Sequence, residues 1–224
     1  ATDDTDAINR ALYELYCTHT FAGMKRALYF PAGHYKITGT IDIPPSASLI
    51  GEGPNSTIID HTSDFSTTTF VMQTADSLQQ TAGSIGIGAS LPTDIFISNM
   101  GLICGCHGIY INACQRITLN RVTFTGPETL PSSATSAVFA GSTFGLYITG
   151  NPGVPSEDIN LIDCYFSKFV YGIWQGYIDQ YFRNVIISSA TFQELYEAIT
   201  INGGSSTSDV PVKNITVTSS VFNS

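Results

Sequence analysis

The sequence predicts an all-β protein built as a parallel β-solenoid, in which short strands wind into stacked coils. Two observations predict this fold: a short apolar pattern that recurs along the chain, and a composition that favours strands and tight turns. Charged residues make up only 12% of the 224 residues, and Gly, Ser, Thr and Asn are plentiful while the straight-chain helix formers are scarce. A chain of this length can bury a sizeable core.

The recurring unit is clearest between Ile159 and Phe166, where apolar residues alternate with other residues on both sides of a two-residue step. A repeat of this kind, with three short strand patterns, forms one coil, and coils must stack because one coil cannot bury its inner face alone. A leucine-rich repeat has a similar period, but its Leu-x-x-Leu-x-Leu consensus is absent. Five segments align, and they begin 22, 42, 26 and 30 residues apart at Ile95, Ile117, Ile159, Val185 and Ile215.

The alignment separates inward from outward positions. Stacked coils lie about 4.8 Å apart, so residues at equivalent positions form columns and touch one another. Arg121 and Asp163 share a column in the two-residue step, which predicts a surface ion pair. Three inward columns are predicted to form the core: Met100, Val122, Cys164, Ala190 and Ser220; Leu102, Phe124, Phe166, Phe192 and Phe222; and Ile109, Leu146, Ile173 and Ile199.

The first 60 residues have a different pattern. An amphipathic helix is predicted over residues 3–18, because Ile8, Ala11, Leu12 and Leu15 fall on one face. Aspartates at its start suit the positive end of the helix dipole. Short strands are predicted to follow over residues 27–30, 35–37, 40–43, 48–50 and 57–59, separated by turns rich in Pro and Gly.

Three motifs in this region carry a resemblance to a known family. They are Asp3-Asp4-Thr5-x-Ala7-Ile8, Tyr29-Phe30-Pro31-Ala32-Gly33-x-Tyr35 and Leu49-Ile50-Gly51-Glu52-Gly53. Together they resemble the opening of the pectate-lyase-like right-handed β-helix superfamily, which includes bacteriophage tailspikes and tail-fibre domains as well as secreted polysaccharide lyases and hydrolases. The resemblance implies a right-handed parallel β-helix with an N-terminal capping helix. Residues 1–60 would form the cap and first coils, and residues 61–224 the β-helix body with loop insertions, as a single-domain fragment of a longer chain.

Net charge, apolar runs and cysteine count restrict the classes of partner that this chain can bind. The net charge of −9 argues against nucleic acid, which requires a basic face, and no apolar run is long enough to insert in a membrane. The five cysteines are an odd number without zinc-ligand spacing, so free thiols are expected, as suits assembly in a reducing cytosol. Neither a metal nor a cofactor is predicted.

A binding site is predicted on the outward column of the third strand, at Tyr110, Tyr147 and Trp174. Each follows a small residue by two positions, at Gly108, Gly145 and Gly172. Three aromatic side chains on one outer face would form a flat strip on which the C–H face of a sugar ring can pack. Two alternatives stay open: the strip packs against another subunit, or it lies beneath a loop.

Catalytic residues are harder to assign. Glycoside hydrolysis requires two carboxylates roughly 5 to 9.5 Å apart, and no Asp/Glu pair in the repeats shares a column on adjacent coils. A lyase requires a base and a group that neutralises the uronate, and no exposed basic cluster is evident. The candidates lie in or beside the loop insertions, at Glu128, Glu157, Asp158 and Asp179. Whether this segment is an enzyme, such as a polysaccharide depolymerase, stays open.

The leading functional expectation is a bacteriophage tailspike or tail-fibre domain that recognises a host surface polysaccharide, with degradation of that polysaccharide left open as a further activity. The resemblance implies a homotrimer that contacts other phage tail or baseplate proteins, assembles in the host cytoplasm as part of the virion, and acts outside the cell. The alternatives are a secreted polysaccharide lyase or glycoside hydrolase, and a structural spacer of the virion tail.

Overall fold

The computed structural model describes residues 2–17, 26–62, 69–75, 91–127, 142–150, 154–176, 182–201 and 213–223. One helix, α1, spans Thr5–Tyr16. The strands in chain order are β1 Leu28–Phe30, β2 Gly33–Lys36, β3 Ile41–Ile43, β4 Ser48–Gly51, β5 Thr57–His61, β6 Phe70–Thr74, β7 Thr93–Cys104, β8 His107–Asn112, β9 Gln115–Thr125, β10 Phe144–Thr149, β11 Ser156–Ile162, β12 Tyr165–Ser167, β13 Tyr171–Gln175, β14 Phe182–Ser188, β15 Thr191–Gln193, β16 Glu197–Ile201, β17 Lys213–Thr218 and β18 Val221–Asn223.

The strands form a parallel β-helix, which confirms the predicted fold. Three stacks of parallel strands, here called the first, second and third sheets, run along the described part of the chain. The first sheet is ordered β1-β4-β7-β9-β11-β14-β17, and the third is ordered β3-β6-β8-β10-β13-β16. The second sheet contains β2, β5, the C-terminal parts of β7 and β9, β12, β15 and β18. Two coils, β1–β3 and β4–β6, precede the five that the repeat alignment identified.

The predicted inward columns form the core, except at Ser220 and Phe222 in the last described coil, where Phe222 is exposed. In the second sheet, Leu102 pairs in register with Phe124, Phe124 with Phe166, and Phe166 with Phe192. The rings of Phe124 and Phe166 stack with centroids 4.6 Å apart, and those of Phe166 and Phe192 lie 5.1 Å apart, nearly parallel in both cases. Inward residues of all three sheets belong to one cluster that extends from Ile8 to Phe192. Burial of these columns supplies the main stabilisation of the fold.

The two-residue step has a specific backbone conformation. Its second residue has positive φ in five successive coils: Asn99, Arg121, Asp163, Ser189 and Ser219, with φ between 51° and 54°. This left-handed conformation turns the chain sharply from the first sheet into the second. It stacks Arg121 beneath Asp163, and their side chains form the predicted ion pair at 3.8 Å. Both side chains are more than half exposed, so the pair contributes little stability.

Helix α1 covers the first coil. Ile8 and Leu12 are buried against the core, as the amphipathic pattern predicted. The helix begins at Thr5 rather than at residue 3, because Asp3 stays outside and binds the helix start. The Asp3 carboxylate accepts hydrogen bonds from the Thr5 N–H at 3.0 Å, from the Thr5 hydroxyl at 2.6 Å and from the Thr38 N–H and hydroxyl. These bonds hold the pKa of Asp3 well below its ordinary value.

Candidate functional site

The outer face of the third sheet brings the predicted binding residues together. Strand register places Tyr110 beside Tyr147 and Tyr147 beside Trp174, in β8, β10 and β13. Their neighbours Ile109, Leu146 and Ile173 point into the core. The column continues in both directions along the stack, and its members among the described residues are Asp42, Gln73, Tyr110, Tyr147, Trp174 and Thr200.

Small residues at the start of each of these strands permit the close packing. At Gly145, an added Cβ would lie 2.7 Å from the carbonyl oxygen of Gly172 and 2.8 Å from the Phe166 ring. Where the chain passes from the second sheet into the third, the Gly145 backbone therefore contacts both the backbone of the next coil and the phenylalanine stack of the core. Only glycine fits this place without displacing a neighbour.

The aromatic side chains stack on one another rather than lying flat on the surface. The centroids of Tyr110 and Tyr147 are 5.1 Å apart, as are those of Tyr147 and Trp174, with interplanar angles of 36° and 16°. Each ring therefore covers the face of the next. A second aromatic group lies alongside and contacts the column, formed by Phe70, His107, Phe144 and Tyr171.

This arrangement corrects the expectation of an exposed flat strip. Trp174 is only 6% exposed, and it belongs to a small cluster with Phe144, Val170 and Tyr171 that is separate from the main core. Tyr110 and Tyr147 are half-buried. Of the three predicted residues, a ligand can thus reach mainly Tyr110 and Tyr147. A sugar-binding role for the three residues stays a prediction.

Polar groups flank the aromatic column, and sequence reasoning did not find them. The Tyr110 hydroxyl is hydrogen-bonded to the Thr149 hydroxyl at 2.9 Å, and Thr149 donates to the side-chain oxygen of Asn112, also at 2.9 Å. At the lower end, the Asp42 carboxylate accepts a 2.6 Å hydrogen bond from Gln73. The sequence does contain a pattern that indicates the outward positions of Asp42 and Gln73. Each stands between two inward residues, as Tyr110 does, but in the two N-terminal coils that the repeat alignment omitted.

Asp42 is the one Asp, Glu, Lys or Arg side chain that is buried within the described residues. Burial raises its pKa above the ordinary value, although the hydrogen bond from Gln73 acts in the opposite direction. A carboxyl group in such a place retains its proton to a higher pH than a solvated one. This property is required of a general acid in glycosidic bond cleavage.

The candidate catalytic carboxylates separate into two groups. Glu128 and Asp179 lie outside the described residues. Glu157 and Asp158 lie within β11 rather than in a loop. Arg183 of the next coil forms an ion pair with Glu157, and Asn184 donates a hydrogen bond to Asp158 at 3.0 Å. Both carboxylates therefore connect adjacent coils of the first sheet, and neither lies in the aromatic column.

No group of three or more His, Cys, Asp or Glu side chains suited to a metal ion occurs among the residues that the structure describes. The same residues contain no helix long and apolar enough to cross a membrane.

The family model described as rhamnogalacturonase A/epimerase, pectate lyase-like, matches residues 1–223. The chain belongs to this family. This match confirms the membership of the pectate-lyase-like superfamily that the three N-terminal motifs predicted. A comparison with curated protein sequences found no match.

Two solved structures of viral proteins share the fold. ORF18 of Geobacillus virus E2 is 18% identical with a TM-score of 0.55, over 98% of this chain and 45% of the viral protein. The pre-mature gene product 12 of bacteriophage phi29 is 16% identical with a TM-score of 0.52, over 100% of this chain and 31% of that protein. The chain thus spans less than half the length of either. At these identities the likeness establishes the fold alone.

Proposed function

We propose that this pectate-lyase-like chain is the β-helix domain of a bacteriophage tailspike or tail-fibre protein that binds a polysaccharide on the host surface. Its family is described by the names of enzymes that act on polysaccharides, and both structures above are viral. In this proposal the protein assembles as a homotrimer in the host cytoplasm, contacts other tail or baseplate proteins, and acts outside the cell as part of the virion.

The observation that carries the proposal is the outer face of the third sheet. Half-buried tyrosine rings stand there in register on successive coils. The buried Thr149 and Asn112 side chains bond to each other, and Thr149 is also bonded to the Tyr110 hydroxyl, which fixes the position of that hydroxyl. Binding sites for small molecules combine apolar and aromatic walls with a few oriented polar groups. A sugar presents both C–H faces and hydroxyls, so tyrosine edges and hydroxyls are suitable partners for it.

Removal of the tyrosine hydroxyls tests whether this face binds polysaccharide. The double variant Tyr110→Phe/Tyr147→Phe keeps both rings, and should weaken binding of surface polysaccharide from susceptible host cells by about tenfold. Tyr29→Phe is the matched control, because Tyr29 is exposed on β1 and bonds only to Glu52 among the described residues. Titration calorimetry measures the affinity, and light scattering measures whether trimers are present. A trimer that binds no host polysaccharide would instead support a structural spacer.

A second candidate function is cleavage of the polysaccharide, and the buried Asp42 favours it. Asp42 shares a column with Tyr110, and burial raises the pKa of its carboxyl group. Hydrolysis also requires a second carboxylate, which in this candidate comes from outside the described members of the column. With Asp42 as general acid, incubation with polysaccharide should give shorter chains with new reducing ends. Asp42→Asn should then abolish this release while leaving binding intact. Release that is unaffected by Asp42→Asn would exclude Asp42 from catalysis.

A further inference from the structure

A second concave surface lies on the outer face of the first sheet. It spans the coils that contain β11, β14 and β17 and has a volume of about 410 Å³. Two columns of side chains line this groove, here called the amide groove: Asp158, Asn184 and Asn214 in one, and Asn160, Ile186 and Thr216 in the other. None of these residues contributes to the aromatic column of the third sheet.

The first column is a hydrogen-bonded ladder. The Asn184 amide donates to the Asp158 carboxylate at 3.0 Å, and the Asn214 amide donates to the Asn184 oxygen at 2.9 Å. All three residues have positive φ, between 56° and 58°, a conformation that Asp and Asn adopt more readily than most residues. The ladder therefore fixes the orientation of its amides before any ligand arrives, which lowers the entropic cost of binding.

The ladder leaves hydrogen-bonding capacity unused. A primary amide has two N–H donors, and each of Asn184 and Asn214 uses one of them within the ladder. In the described part of the chain, no further hydrogen bond occupies the second N–H of either residue or the other oxygen of Asp158. Successive coils thus offer donors and acceptors at the strand spacing of about 4.8 Å.

The second column adds an apolar surface between polar residues. Ile186 is 47% exposed, and its register neighbours on the adjacent coils are Asn160 and Thr216. An exposed isoleucine flanked by amide and hydroxyl groups matches a ligand that is apolar on its ring face and hydroxylated at its edge. Sugar rings have this character, whereas an extended apolar peptide would leave the amides unpaired.

The charge of the residues around the amide groove restricts the charge of the ligand. Asp158 is the one ionisable residue of the lining, and it is a carboxylate. Two arginines interact electrostatically with Asp158, but each forms an ion pair with a different carboxylate: Arg183 with Glu157 and Arg116 with Asp94. Among the side chains that the structure describes here, the carboxylates thus exceed the arginines by one, and a uronate or other anionic sugar would meet this excess negative charge.

We infer that the amide groove binds a neutral, hydroxyl-rich oligosaccharide along the stacked coils. This inference rests on the proposed function and names a second contact surface and a ligand class for it. The inferred ligand is neutral, and this distinguishes the chain from proteins that bind an acidic polysaccharide.

The test compares neutral and acidic probes on the same chain. Cellohexaose, maltohexaose and hexagalacturonate are titrated against the native protein by calorimetry, and at least one neutral hexasaccharide should bind at least tenfold more tightly than hexagalacturonate. Asn184→Gly keeps the positive φ and removes the amide, and should weaken that binding by about tenfold. Ile186→Ser should also weaken it. Ile162→Ser is the matched control, since Ile162 is an exposed isoleucine of β11 outside the groove.

A measurement on the native protein tests the groove assignment even if the variants fail to fold. In a neutral hexasaccharide titration, the side-chain amide NMR signals of Asn160, Asn184 and Asn214 should shift, and that of Asn112 at the third sheet should not. Shifts at Asn112 alone, with unchanged affinity in Ile186→Ser, would overturn the groove assignment and leave the proposed function intact. Tighter binding of hexagalacturonate would overturn the neutral class. Absence of binding to all three probes overturns the inference, and absence of binding to host polysaccharide as well overturns both.

Discussion

Gly145 shows how strongly a single position constrains this fold. It lies where the chain enters β10, and an added Cβ would press on a backbone carbonyl and on the Phe166 ring. Gly145→Ala is therefore expected to lower the free energy of unfolding by about 1–3 kcal/mol, the usual cost of overpacking. Urea unfolding monitored by circular dichroism measures the change.

The control for this prediction is another glycine at the start of a strand. At Gly33, the nearest atom to an added Cβ is 3.5 Å away on the Tyr35 ring, which is an ordinary contact distance. Gly33→Ala should change stability by less than about 0.5 kcal/mol. Equal losses in both variants would show that strand propensity, rather than the close approach at Gly145, determines the effect.

The cysteines provide a second prediction at the scale of single residues. Cys104, Cys106, Cys114 and Cys164 are buried as free thiols, and Cys17 is partly exposed. Burial raises the pKa of Cys114 to about 12 and that of Cys164 to about 11, so little reactive thiolate is present at pH 8. Iodoacetamide at pH 8 should label Cys17 first and the other four only after denaturation, as mass spectrometry of peptides would show. Rapid native labelling of Cys164 would contradict its place in the core.

At the scale of elements, the attachment of α1 is expected to depend on pH. Hydrogen bonds lower the pKa of Asp3 in the folded state, so the ionised carboxylate stabilises that state. Its contribution is present above the unfolded pKa of about 3.9 and is lost as pH falls through the lower folded pKa. Asp3→Asn should therefore reduce stability at pH 7, and the difference from the native chain should shrink at pH 3.

A double-mutant cycle with Thr38→Val isolates the contact that Asp3 makes with the first coil. Thr38 donates to Asp3 through its hydroxyl as well as its N–H. Urea titrations of the two single variants and the double variant should therefore reveal a coupling at pH 7 that weakens in acid. Strictly additive effects at pH 7 would mean that Asp3 acts only on the helix start.

At the scale of the whole molecule, stability is a sum over coils and the contacts between neighbouring coils. Phe166 is fully buried between Phe124 and Phe192, whereas Phe222 stacks on Phe192 but is 54% exposed. Phe166→Ala should cost about 3–5 kcal/mol, and Phe222→Ala about 1 kcal/mol. Thermal unfolding of both variants measures the contrast, and similar melting temperatures would refute the additive description.

The core could be predicted because it is a local pattern that repeats. Ile159 and Leu161, or Phe124 and Phe166, are recognisable as inward residues from alternation and alignment alone, and strand register places them accordingly. The ion pair of Arg121 and Asp163 followed from the same columns. The ladder of Asp158, Asn184 and Asn214 had a signal too, because each residue directly precedes the first apolar residue of its repeat.

The surroundings of the aromatic column could not be predicted in this way. Simple alternation places Phe144 on the same side as Leu146, yet its ring packs against Tyr147 and Trp174 on the outer face. The tight passage at Gly145 interrupts the alternation and redirects Phe144. Sequence periodicity does not describe such a change, so the packing of Phe144 against Tyr147 and Trp174 was not predicted.

The sequence by itself determined the coil, its columns and the helix that covers the first coil, because each of these depends on residues close together or equivalently placed in the chain. Only the tertiary structure decided how much of each outward side chain is exposed and which polar groups meet. Those properties depend on turn geometry and on the spacing between coils. The stacked tyrosines and the amide groove both result from side chains that are 26 or more residues apart in sequence and in contact through the stack.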